Sequence, residues 1–245
     1  MPKGKRVATP NSQAPLLAVE HLSVFYDQFR AVDAIDLSVD AGEVVSIIGA
    51  NGAGKSSLLK AIIGQADRIE GTIRYEGEDL ADCTTAEIVA KCIALVPEGR
   101  RLFPSLSIEE NLHIGWEVGR RGEIGLEDVF GLFPVLKERR RQKARELSGG
   151  QQQMVALGRA LLANPKLLLC DEISLGLAPL IVDQLYKLIP TIKQRGIGVL
   201  VVEQDITRSL AVADRFYCLL EGKVTLASRP GETSRDVVMK HYFGM

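Results

Sequence analysis

Apolar and polar residues alternate with a period of two at Leu17-Ala18-Val19-Glu20 and at Ala34-Ile35-Asp36-Leu37-Ser38-Val39, and an apolar run follows at Val44-Val45-Ser46-Ile47-Ile48. A period of two sends successive side chains to opposite faces, so the first two stretches predict half-buried strands and the third a fully buried one. Later apolar runs at 93–96, 167–170, 199–202 and 216–220 are separated by longer amphipathic stretches. That rhythm predicts an α/β fold with a largely parallel sheet and helices on its faces. Between about Glu76 and Glu146 the pattern turns helical, with helices expected from Thr85, from the capping box Ser107-Ile108-Glu109-Glu110, and through Lys137 to Lys143. We therefore expect a single domain over 16–245 with a helical subdomain, about 77–147, inserted in its core. Residues 1–15 hold three of the ten prolines and almost no large apolar groups, which predicts a flexible extension.

Composition narrows the class. The 245 residues are 46% hydrophobic and 25% charged with a net charge of −1, the make-up of a globular protein with a sizeable core. Apolar runs of about seven residues fall far short of the roughly 20 needed to span a bilayer. The basic N-terminus lacks an apolar h-region, so a cytosolic location is expected. Four cysteines without a C-x-x-C pair predict buried free thiols. Lys137, Arg139, Arg140, Arg141, Lys143 and Arg145 place six cations in nine residues. With a slightly acidic chain and no interleaved aromatics, a solvated face or local attraction for a nucleotide explains them better than nucleic-acid binding.

The chemistry begins at Gly49-Ala50-Asn51-Gly52-Ala53-Gly54-Lys55-Ser56, which fits G-x-x-x-x-G-K-[ST] between an expected strand and an expected helix at 57–63. Glycines let the backbone curl so that successive N–H groups point at phosphate oxygens, and the helix N-terminus adds positive potential. Gly49, Asn51, Gly52, Ala53, Gly54 and Ser57 are the expected cradle. Lys55 should bridge the β and γ phosphates, and the Ser56 hydroxyl should sit on Mg²⁺. A second element, 166–172, is an apolar strand that delivers Asp171 and Glu172 at its C-terminal edge, where ligands bind in open α/β sheets. Asp171 is expected to hold Mg²⁺ and Glu172 to polarise a water as general base, although two acids could also simply cap the next helix. An acid beside the metal-binding Asp favours hydrolysis over transfer to a small acceptor.

A third element, Leu147-Ser148-Gly149-Gly150-Gln151, opens a helix to Leu162. Together the three elements resemble the signature of ABC (ATP-binding cassette) ATPases, over about 16–228. The resemblance implies a P-loop NTPase core with an N-terminal antiparallel β region and an inserted helical subdomain, and ATP with Mg²⁺ as cofactors. It also implies a head-to-tail dimer in which Ser148, Gly149, Gly150 and Gln151 of one cassette close over the γ-phosphate held by the other. Tyr26 stands where the family stacks an aromatic ring on adenine, a place where plain packing would serve as well.

The stretches Leu95-Val96-Pro97-Glu98-Gly99-Arg100-Arg101-Leu102-Phe103-Pro104, Ser174-Leu175-Gly176-Leu177-Ala178-Pro179 and Val202-Glu203-Gln204 resemble the ATPase subunits of branched-chain amino acid importers, the LivF type. Glu98 takes the place of the Gln that most cassettes direct at Mg²⁺, and Gln204 that of the switch His at the γ-phosphate. A neutral Gln can donate a hydrogen bond but cannot carry a proton, which predicts a slower site in a heterodimer. Ile173 replaces the Pro that usually follows the two acids, and Ala178 stands where the wider family has an Asp. The implied role is an importer ATPase peripheral to the inner face of the membrane. Its implied partners are a second cassette, two membrane permeases and an extracytoplasmic solute-binding protein. Import of urea or short amides, a soluble ABC-type ATPase acting on nucleic acid or ribosomes, a small-molecule kinase and a non-catalytic scaffold remain as rivals.

Overall fold

The computed structural model describes residues 14–245, so most of the expected extension lies outside the described residues. Strands β1 (Leu17–Tyr26), β2 (Phe29–Val39), β4 (Arg68–Tyr75) and β5 (Glu78–Asp79) form an antiparallel sheet in the order β2-β1-β4-β5. A second sheet has the order β10-β9-β3-β8-β7-β6, from β3 (Val44–Ile48), β6 (Ile93–Val96), β7 (Leu167–Asp171), β8 (Gly198–Glu203), β9 (Arg215–Leu220) and β10 (Lys223–Ser228). All of its pairings are parallel except β9 with β10.

Helix α1 (Lys55–Ile62) packs against β1, β2 and β7, in one core with Leu17, Ile35, Ile47, Leu169 and Leu200. The opposite face of β3, β7 and β8, with Val44, Leu168, Cys170, Val199 and Val201, is covered by a helical layer. Burial on both faces is why these strands read as apolar runs rather than alternations. The covering layer contains α3 (Ile108–Val118), α6 (Gly149–Leu162), α7 (Pro179–Tyr186) and α8 (Ile189–Gln194). Helices α3 and α6 approach so closely that a Cβ on Gly115 would overlap the Arg159 carbonyl. The Arg215 guanidinium joins the sheets: it meets Glu43 at 2.5 and 2.8 Å and donates to the Ser38 carbonyl at 2.9 Å.

Three sequence expectations need correction. The helical insert is narrower than 77–147, because β5 joins the antiparallel sheet and β6 edges the parallel one, with α2 (Thr85–Ala90) between them. What remains is α3, α4 (Leu126–Leu132), α5 (Pro134–Glu138) and the short turn of 3-10 helix Ala144–Glu146. The expected helix through Lys137 to Lys143 stops at Glu138. There the Arg140 and Gln142 carbonyls accept from Glu109 and Ile108, two of the N–H groups that the start of α3 leaves without helical partners. Among the cysteines, Cys170 and Cys218 are buried, whereas Cys83 and Cys92 are only half-buried.

Candidate active site

The parallel register assembles the site. Strand β3 leads into Gly49 and the loop to Gly54, which caps α1 with φ +101°, a left-handed conformation open to glycine. A Cβ at Gly54 would also overlap the Ala31 carbonyl. The loop therefore turns inward and delivers Lys55 into the core, 4% exposed. Its ammonium donates to the Ala50 carbonyl at 3.0 Å and pairs with Glu172 at 3.1 Å. Asn51 and Gly52 stay exposed at the mouth, Ala53 is buried, and Ser57 sits in the first turn of α1.

Pairing of Asp171 with Val202 sets the ends of β7 and β8 side by side. Glu172, just past β7, adopts φ +46° and turns its carboxylate toward Lys55, while Gln204 follows β8 and donates to Glu172 Oε2 at 2.6 Å. The Ser56 hydroxyl donates to Asp171 Oδ1 at 3.1 Å. Burial pushes the Asp171 carboxyl above its ordinary value, opposed by the Ser56 hydrogen bond and aided by the charges of Glu172 and Glu98. Glu98 lies in the exposed loop after β6, the strand beside β7.

The expected residues thus fall into separate groups. Lys55, Glu172 and Gln204 form one set of contacts and Ser56 with Asp171 another, joined through adjacent residues of the chain, and the Glu98 charge acts on Asp171. Ser148, Gly149, Gly150 and Gln151 make no hydrogen bond to either set among the described residues. Ser148 is exposed at the start of α6, where its side chain accepts from Gln151 N at 3.3 Å and its own N–H donates to Gln151 Oε1 at 3.0 Å. Tyr26 ends β1 half-buried, with its hydroxyl buried and without a hydrogen-bond partner among the described residues, and Lys60 Nζ lies 5.8 Å from the ring centre. The sequence pattern assigns Glu203 no role. It is a carboxylate 2% exposed at the end of an otherwise apolar strand, and that contrast was the available signal.

The donor set suits Mg²⁺. No group of three or more His, Cys, Asp or Glu among the described residues could hold a metal alone. Ser56, Asp171 and Glu98 offer only oxygens, and Mg²⁺ takes one or two protein oxygens with phosphate and water supplying the rest.

The sequence model of the ABC transporter family matches residues 32–174, more than half of the chain. The chain belongs to the ABC transporter family. This cassette is an ATP-hydrolysing, nucleotide-binding protein. It is 44% identical over 213 residues to the high-affinity branched-chain amino acid transport ATP-binding protein BraG of Pseudomonas aeruginosa, covering 86% of this chain and 91% of that protein. It is 30% identical to the probable branched-chain amino acid transport ATP-binding protein LivG of Methanocaldococcus jannaschii, covering 91% and 93% of the two chains. The fold of the cassette matches the ADP conformation of MJ1267, an ATP-binding cassette of an ABC transporter, with TM-score 0.79, 29% identity, and coverage of 95% and 100%. It also matches a dimeric post-hydrolysis state of the cassette MJ0796 bound to ADP and phosphate, with TM-score 0.77, 26% identity, and coverage of 87% and 98%.

Proposed function

We propose that this cassette powers uptake of branched-chain amino acids, working at the inner face of the membrane with two permeases, a second cassette and an extracytoplasmic solute-binding protein. The observation that carries the chemistry is the convergence of Lys55, Ser56, Asp171, Glu172 and Gln204 at the C-terminal edge of the parallel sheet. The likeness to BraG supports the solute class.

In the mechanism we infer, ATP lies along the loop 49–54 with its phosphates on the N-terminal amides of α1, and adenine stacks on Tyr26. Lys55 exchanges its contact with Glu172 for the β and γ phosphates. That exchange frees one oxygen of Glu172 to accept a proton from water, while Gln204 keeps the other oxygen engaged. Ser56, Asp171 and Glu98 would hold Mg²⁺, which neutralises charge on the phosphates when bound. The start of α6, with Ser148 exposed, Gly149 and Gln151 half-buried and Gly150 buried, offers its first amides and the Ser148 hydroxyl to the γ-phosphate of a partner cassette. Contacts present only in the closed, ATP-bound pair supply the free energy that drives the permeases.

The test is ATPase activity with Mg²⁺, alone and with partner cassette and permeases, beside Glu172→Gln. Turnover that needs the partners and is lost in the variant supports the reading. Tight ATP binding without Glu172-dependent turnover in any mixture overturns it.

A further inference from the structure

We propose that Glu203 is a positioning residue that fixes the Glu172 turn and the Gln204 side chain in one geometry; this inference rests on the reading of Glu172 as general base. Glu172 holds a left-handed backbone, φ +46°, which is strained for a non-glycine residue and persists only where its surroundings enforce it. Strand β8 does the enforcing. The Val202 carbonyl accepts from Glu172 N at 3.0 Å. The Glu203 carboxylate then takes both donors of Ser174, its N–H at 3.2 Å on Oε1 and its hydroxyl at 2.9 Å on Oε2. The turn is clamped on both sides of its strained residue.

The same residue reaches two other parts of the site. Its carbonyl accepts from Gly49 N at 3.3 Å, at the entrance of the phosphate loop. Its chain neighbour is Gln204, whose amide meets Glu172. The Gly49 contact is a backbone one that any residue at 203 would keep, so what depends on the carboxylate is the Ser174 clamp beside Glu172 and, through Glu172, the seat of the Gln204 amide.

A carboxylate there is costly beyond the donors it satisfies. Glu203 is 2% exposed and no Lys or Arg pairs with it among the described residues. Burying an acid without a cation costs free energy, and an apolar residue would continue the strand more cheaply. A carboxylate does what an apolar side chain cannot, because its two oxygens accept two donors of one residue at once.

The test uses the assembled transporter, reading kcat, KM, equilibrium ATP binding and Tm for E203A, E203Q, S174A, E203A/S174A and E172Q. In E203Q the amide oxygen keeps Ser174 N and the NH₂ donates to the Ser174 hydroxyl, so the clamp survives without charge. We expect E203A to lower kcat about tenfold or more with ATP affinity within about twofold, the scale of a displaced general base. E203Q should restore kcat to within about threefold of wild type, S174A should lower it in the same direction, and the double variant should fall no further than E203A. Wild-type kcat in both E203A and S174A overturns the inference. So does an E203Q that shares the loss, or a parallel fall of kcat, ATP affinity and Tm. If E203A fails to fold, S174A and E203Q still decide. Retained turnover in E172Q would defeat the general-base reading itself, which separates that failure from this one.

Discussion

Gln204 Nε2 donates to Glu172 Oε2 at 2.6 Å, while Glu172 Oε1 faces the Lys55 ammonium at 3.1 Å. Each oxygen of the Glu172 carboxylate thus has its own partner, and neither an amide nor an ammonium can accept a proton from it. A His at 204 could relay one. Gln204→His should speed single turnover at this site by at least about threefold, measured with the other site's general base removed. Equal rates at the two wild-type sites would refute the asymmetry.

The phosphate loop separates two effects of glycine. At Gly54 an added Cβ meets the Ala31 carbonyl and the backbone is left-handed, so Gly54→Ala should cost about 2–5 kcal/mol and abolish ATP binding. At Gly52, φ +80°, a Cβ meets nothing within 4 Å, so Gly52→Ala should cost only about 1–2 kcal/mol of backbone strain. Denaturant unfolding of both variants checks the difference.

Asp171 carries a folded-state penalty. Burial raises its carboxyl above the ordinary value, so the folded protein binds that proton more readily than the unfolded chain. Stability therefore falls as pH rises from the ordinary carboxylate value through the raised one. Asp171→Asn should raise the Tm of the nucleotide-free protein at about pH 7.5, with a gain that shrinks toward about pH 4, while removing Mg²⁺-dependent turnover. Scanning calorimetry against pH reads the sign.

Arg215 and Glu43 form the ion pair that ties the two sheets, with Ser38 and the Asp40 amide completing its hydrogen bonds. Removing one partner leaves the other charge largely buried. Glu43→Ala should cost about 3–5 kcal/mol, or roughly 10 °C in Tm at about 2–4 °C per kcal/mol. A Tm unchanged in that variant would contradict the assignment.

The parallel strands were legible because burial on both faces leaves an unbroken apolar run, as in Val44 to Ile48. Strands β4 and β10 were not. Arg68–Tyr75 mixes charged and apolar residues because much of it is exposed, and Lys223–Ser228 lies at a sheet edge with little burial to pattern it. The charge run at 137–145 looked helical because Lys and Arg are good helix formers. The backbone there serves α3 instead, a demand that comes from Ile108 and Glu109, far upstream in the chain.

The sequence by itself determined which chemistry the chain can perform. The order Gly-x-x-x-x-Gly-Lys-Ser and the pair Asp171-Glu172 are local, and their residue types are dictated by phosphate and metal chemistry wherever the strands run. Only the tertiary structure decided which groups meet. That Lys55 faces Glu172, that Gln204 takes the other oxygen, and that Glu203 holds Ser174 follow from the parallel pairing of β7 with β8 and of β8 with β3. Where both sheet faces are buried the apolar run carries no alternation to mark register, so the packing of strands separated by dozens of residues sets it.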